Sequence, residues 1–267
     1  MSDNPLELDL NRINLEMRGP HLIVTLDHPD TRNALTDELM HELNVVLDHT
    51  RDDLSVRSLI LRGANGVFCA GADLKAALAR IDEPFTDTDP VAQMNAKVGD
   101  LYAKLNQYPK AVVAVVEGAA FGGGFGMVCC ADIVIVGDKA LFALSETSLG
   151  LAPAQIAPYI VTRLGEAGAR RLAVSGIRVD APEAMRIGLA DEHHADNELE
   201  AGLTELLNCI GKCAPHANAV SKRILQSSSV SVADAAAAFS ECLRHEEGRE
   251  GVAAFGQKRP AAWVVKV

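Results

Sequence analysis

The sequence predicts an α/β core followed by a helical C-terminal extension. Three observations carry that reading. Up to about residue 145, short apolar runs rich in β-branched residues alternate with helix-periodic segments. From Glu146 onward the pattern is mainly helical, and the final stretch, which includes A-D-A-A-A-A-F, contains no convincing strand. At the centre, residues 117–132 (E-G-A-A-F-G-G-G-F-G-M-V-C-C-A-D) directly follow the apolar run 111–116. An apolar run, three consecutive glycines and then small apolar residues read as a buried strand, a tight turn and a helix.

The elements follow in order. Residues 14–27 read as a hairpin, with Arg18-Gly19-Pro20 at the turn and Leu22, Val24 and Leu26 alternating in the second strand. After the polar link 28–33 a helix is expected near Thr36. Asp37 and Glu38 sit in its first turn, and Leu39, Leu43, Val46 and Leu47 form its apolar face. Residues 58–61 make a short buried strand, and 67–72 lead through a second turn to a helix from about Asp73. The segment 82–90 (D-E-P-F-T-D-T-D-P) holds prolines and acids without periodicity, so a mobile surface loop is expected. A helix through Tyr108, the central unit and a strand over 133–136 complete the core. Helical spacing follows over 156–164, 167–174, 182–187 and 199–210. No repeat of fixed period is present. The expected organisation is a core over 1–200 and a helical region over 201–267, whose apolar faces suggest packing against other copies.

An apolar fraction of 48% is ample for a core, and 25 basic against 36 acidic residues give a net charge of −11. Such a chain is a poor generic binder of nucleic acid or anionic membrane, so a polyanionic ligand must meet a local basic cluster. The helix after Thr36 carries Asp37, Glu38, Glu42, Asp48, Asp52 and Asp53 against Arg51, which argues against RNA binding. The start lacks a basic and apolar leader, and Glu117 and Asp132 interrupt the longest apolar region. No signal peptide or membrane span is therefore expected. Six cysteines without a C-x-x-C read as reduced thiols of a cytoplasmic protein. His193-His194 reads as a polar surface turn rather than a metal site.

The glycine run fits neither nucleotide fingerprint. A P-loop needs Gly-Lys-Ser/Thr, and Gly124 is followed by Phe125-Gly126; G-x-G-x-x-G fails at Met127 or at Val128. On spacing alone, two readings stay equally open: a tight turn where helix and strand pack closely, or a helix N-terminus whose free N–H groups and positive dipole end suit an anion, permanent or transient. The run F-C-A-G-A-D-L-K at 68–75 repeats the device, with Gly71 before a helix start. Two such turns, each offering a backbone N–H, could form a two-donor oxyanion hole.

These blocks resemble the crotonase, or enoyl-CoA hydratase/isomerase, superfamily. The resemblance rests on H-P-x-x-R-N-A-L at 28–35, F-C-A-G-A-D-L-K at 68–75, E-G-x-x-x-G-G-G at 117–124, F-A-L-S-E-T-S-L-G-L at 142–151 and F-x-x-K-R at 255–259. They run in family order over nearly the whole chain. The resemblance implies a crotonase-like spiral of β-β-α units with a helical C-terminal trimerisation region, a homotrimer or a dimer of trimers. It implies a coenzyme A thioester as substrate, with no permanently bound cofactor. It gives the amides of Ala72 and Gly123 as oxyanion donors, the loss of one such donor costing roughly 3–4 kcal/mol of barrier elsewhere. It places Arg32, Ala34, Leu35, Ala70, Asp73, Leu74, Lys75, Gly122 and Gly126 along the substrate channel. Phe255 and Lys258 match positions that meet the CoA adenosine end, often from a neighbouring subunit.

Of the two glutamates that share acid–base work in the family, Glu146 matches the second; the position of the first is Gly126. Without the resemblance Glu146 reads better as an acid in the first turn of a short helix capped by Ser145; with it, catalysis is the favoured reading. A single acid is also what the family's 3-enoyl to 2-enoyl isomerases use. Common hydratases have P-G-x-G-G-T where this chain has P-A-Q-I-A-P-Y at 153–159. F-G-M-V-C-C-A-D together with the block 145–159 is most similar to isohexenylglutaconyl-CoA hydratases of acyclic terpene breakdown, and also to 3-methylglutaconyl-CoA hydratases. The former carry G-G-G-F-G as well. A branched acyl group with a distal carboxylate is what that similarity implies.

Overall fold

The computed structural model describes residues 6–84 and 89–267. The chain opens with an antiparallel hairpin, β1 (Ile13–Arg18) and β2 (His21–Leu26), then α1 (Asp37–Thr50). Thr36 caps α1 by accepting the Leu39 amide, as the sequence predicts. There follow β3 (Ser58–Gly63), β4 (Val67–Cys69), α2 (Leu74–Ala79), α3 (Pro90–Asn106), β5 (Ala111–Val116), β6 (Ala119–Phe121), α4 (Gly123–Cys130), β7 (Ile133–Val136) and β8 (Leu141–Ala143). The remainder comprises α5 (Ala157–Ser175), β9 (Arg178–Asp180), α6 (Ala181–Arg186), β10 (Glu192–His193), α7 (Leu199–Ile210), α8 (Pro215–Leu225), α9 (Val232–Arg244) and α10 (Glu246–Gly256). Of the stretch read as a loop, 85–88 lie outside the described residues, and Pro90 already opens α3 behind the capping carboxylate of Asp89.

Two sheets organise the molecule. Six strands run in the order β1-β2-β3-β5-β7-β10, all parallel after the first pair, and four run β4-β6-β8-β9, with only β9 antiparallel. The chain visits the larger sheet, then the smaller, then a helix: β3, β4 and α2; β5, β6 and α4; β7, β8 and α5. This is a spiral of β-β-α units with a helical C-terminal region. The repeat leaves no fixed period in sequence because β3, β5 and β7 start at residues 58, 111 and 133.

β5 and β7 are apolar throughout because both faces are covered. Val112, Ala114 and Val116 of β5 enter the main core with Leu59, Leu61 and Val134. Their alternates Val113 and Val115 join Ile23, Ile60 and Ile135 beneath Leu203, Leu207 and Ile210 of α7. The expected division at residue 200 thus falls inside a helix that closes one face of the larger sheet. Two strands beyond Glu146 were outside the sequence reading. β9 and β10 are three and two residues long, too short for a period to register. Among the described residues no helix is long and apolar enough to cross a membrane.

Candidate active site

Three parallel strands of the smaller sheet aim their carboxyl ends at one place. β4 pairs with β6 through Val67–Ala119 and Cys69–Ala120, and β6 pairs with β8 through Phe121–Ala143. The segments that leave these ends carry Ala72, Gly123 and Glu146 respectively. Open parallel sheets bind ligands beyond their carboxyl ends, and here the register brings the three together. All three line a cavity of about 400 Å³ that also includes Ala70, Leu74 and Gly122.

The glycine turns make the approach possible. Gly122 has φ +46° and ψ −113°, a positive-φ conformation that residues with a Cβ rarely adopt, and a Cβ there would stand 2.9 Å from Glu146 Oε1. Its amide donates to Ala143 O at 2.9 Å, tying the turn to the end of β8. A Cβ on Gly123 would lie 3.4 Å from the Ala72 nitrogen, so the two turns are in direct contact. Among the described residues neither the Ala72 nor the Gly123 N–H has a backbone acceptor. Gly123 is the first residue of α4, where an N–H is left free by helix geometry.

Glu146 opens a single 3₁₀ turn, Glu146–Leu149. Ser145 does not cap it: its side chain makes no capping bond, and its carbonyl instead accepts the Ser148 hydroxyl at 2.6 Å. The helix-start reading of Glu146 therefore lacks its capping partner. The carboxylate is half-buried, and Oε2 is buried with no hydrogen-bond partner among the described residues. Burial raises its pKa above the ordinary 4.5, against a smaller opposing effect of its own backbone amide. A carboxylate kept partly desolvated and unpaired beside two free amides can hold, take or return a proton.

The other channel residues take varied places. Ala34 and Leu35 are buried; the Leu35 amide donates to Gly71 O at 2.8 Å, and its side chain abuts Gly123. Arg32 is exposed in a left-handed conformation, and its carbonyl accepts the Ala70 amide. Asp73 is spent as the N-cap of α2, accepting from the amides of Lys75 and Ala76. Lys75 is exposed on α2, outside the cavity wall. Phe255 and Lys258 lie at the end of α10, exposed and apart from this chain's own cavity.

Gly126 is not on the wall either, because Tyr102 of α3 stands in front of it. A Cβ at Gly126 would be 2.7 Å from both Cζ and Oη of that ring. Sequence reasoning missed Tyr102, together with Asn95 and Gln155 on the same wall. The available signal was a glycine inside a helix, a residue that weakens helices and so often marks a close neighbour.

Other candidates fall away. Glu117 is bound by Arg62, 2.8 Å from its Nη2, in an ion pair that also reaches Glu200. Burial pushes the Cys69 and Cys129 thiols up to about 12, which leaves them unreactive. His193 faces Asp138 and His194 faces Glu192. Among the described residues no cluster of His, Cys, Asp and Glu could hold a metal ion.

The family model described as enoyl-CoA hydratase/isomerase matches residues 21–266. The chain belongs to this family. Carnitinyl-CoA dehydratase of Proteus mirabilis is 36% identical over 262 residues, covering 94% of this chain and 97% of that one. Among solved structures, Pseudomonas aeruginosa AtuE is 42% identical with a TM-score of 0.90, covering 96% and 100% of the two chains. An enoyl-CoA hydratase/isomerase from Marinobacter aquaeolei is 38% identical with the same TM-score of 0.90, covering 95% and 99%. The spiral and its C-terminal helices are thus those of the enoyl-CoA hydratase/isomerase fold, and acyl-CoA thioesters are the family's substrates.

Proposed function

We propose that the protein hydrates a branched 2-enoyl-CoA thioester, with Glu146 as the acid–base group. The observation that carries this is the unpaired, half-buried carboxylate of Glu146 against Gly122, beside the free amides of Ala72 and Gly123. The thioester oxygen sits between the two amides. Glu146 takes a proton from water as the hydroxyl adds to C3, the electron pair moves into the enolate, and its charge collects on that oxygen. The same carboxyl then delivers the proton to C2, so the net change is one water added. Carnitinyl-CoA dehydratase, by its name, carries out chemistry of this kind in the opposite direction, which supports a hydro-lyase.

Arg32, Lys75 and Lys258 are the cations that the acidic chain offers to the CoA phosphates, and Phe255 offers a ring to the adenine. The last two act from a neighbouring copy in a homotrimer or dimer of trimers. The sequence similarity nominates isohexenylglutaconyl-CoA of acyclic terpene catabolism as the specific substrate. Leu74, Val98, Leu149 and Leu151 suit its branched apolar chain. The described cavity wall holds no lysine, arginine or histidine, so the distal carboxylate of that substrate would rest on the amides of Asn95 and Gln155.

One observation favours a second reading. The other carboxylate on the wall, Asp89, is engaged in capping α3, leaving Glu146 as the single unengaged acid there. A single acid suffices for 3-enoyl to 2-enoyl isomerisation, moving a proton from C2 to C4. Incubation in ¹⁸O-water separates the two. Branched 2-enoyl thioesters should gain label at C3, and Glu146→Gln should stop it. Conversion of 3-enoyl to 2-enoyl thioesters without label would establish the isomerase instead.

A further inference from the structure

We propose that Tyr102 is the positioning residue of this site: its hydroxyl fixes the first turn of α4, and hence the Gly123 amide, at the point where the thioester charge develops. The inference rests on the oxyanion role given to Gly123 above. Tyr102 projects from α3 and is fully buried, yet it lines the cavity. Its hydroxyl donates to the Gly123 carbonyl at 2.8 Å. It also stands 3.2 Å from where a Gly123 Cβ would be. Gly123 opens α4 behind a positive-φ glycine, and its own N–H has no backbone acceptor among the described residues to hold it. A buried donor from another helix supplies a restraint without placing charge near the enolate.

Three further features make Tyr102 a fixed part. Its ring meets Tyr159 edge-on, with centroids 5.8 Å apart. It fills the space above Gly126, where even a Cβ would stand 2.7 Å from its Cζ and Oη, so the ring keeps this place only because residue 126 has no side chain. Burial holds its hydroxyl well above the ordinary value of 10, so it stays a neutral donor across the working pH range. The site thereby loses room for a second carboxylate and gains a rigid wall. Gly126 and Tyr102 are one device.

The test compares two ligands bound by the whole enzyme. Acetoacetyl-CoA ionises to an enolate with charge on the thioester oxygen; butyryl-CoA has the same CoA handle and no enolate. Tyr102→Phe keeps the ring and removes the donor. It should weaken enolate binding about tenfold, the ratio for a hydrogen bond of ordinary strength, with butyryl-CoA affinity unchanged. In turnover, kcat should fall by a similar factor with KM held. Equal loss for both ligands, or no loss for either, overturns the proposal. Should Tyr102→Phe fail to fold, Gly126→Ala displaces the ring by its methyl while keeping the hydroxyl, and the same differential loss is expected. A wild-type enzyme with no preference for the enolate would instead remove the oxyanion reading itself, which keeps the two failures distinct.

Discussion

At the scale of the residue, Glu146 is held partly out of water with its Oε2 left without a partner among the described residues. Glu146→Gln keeps the shape and removes the proton-carrying group, so activity should fall roughly 10²- to 10⁴-fold, as for other general acid–base groups. The pH dependence follows from the raised pKa. The carboxylate needed to take a proton from water is lost as pH falls through that pKa, so the acid limb of kcat/KM should lie above 4.5. Stability runs the other way. A carboxyl with a folded pKa above its unfolded value favours the folded state below 4.5, and that contribution disappears as pH rises through the folded pKa. Glu146→Gln should therefore raise Tm at neutral pH relative to wild type and lose this advantage near pH 4; thermal scans across that range check the sign. Gly122→Ala should be damaging on two counts. An alanine held in this sparsely populated positive-φ conformation costs on the order of 1–3 kcal/mol, and its methyl would meet Glu146 Oε1 at 2.9 Å. A fall in both Tm and kcat is expected.

At the scale of the element, the site is made by strand pairing. The turn after β4 and the turn after β6 were visible in sequence as apolar run, glycine and helix start. Their adjacency was not, because parallel pairing across more than fifty residues has no local signature. The motifs of the family stood in for that missing geometry. Glu146 was legible only through them, since the strand β8 before it has three residues. Tyr102 itself reads as ordinary core, a helical aromatic on an apolar face, and the glycine at 126 inside a helix was the trace it left in the sequence. Glu117 shows the reverse: it shares a motif block with Gly123, yet its carboxylate belongs to Arg62 at the edge where β3 and β5 meet. Glu117→Gln should leave kcat and KM unchanged and lower stability by about 1 kcal/mol, the size of one charge-assisted bond partly exposed to water. A change in kcat of tenfold would return Glu117 to the list of acids.

At the scale of the molecule, the C-terminal helices carry more exposed apolar surface than a lone chain accounts for. Phe239 of α9 is 70% exposed, Val232 89%, Val252 62% and Phe255 of α10 88%. Sequence periodicity announced these faces and suggested packing against other copies; within the chain they stay open, and a second copy is the occupant we propose. Such an assembly would give Phe255 and Lys258 a use, since they are exposed and do not line their own chain's cavity. Sedimentation equilibrium should show a trimer or a multiple of it, and Phe239→Glu should shift the mass toward the monomer. The monomer should keep its chemistry on a pantetheine thioester, which lacks the adenosine end, while KM for the CoA thioester rises toward the pantetheine value. A monomeric wild-type chain, or a dissociated variant that still prefers CoA over pantetheine to the full extent, would show that the adenosine end is held within one subunit.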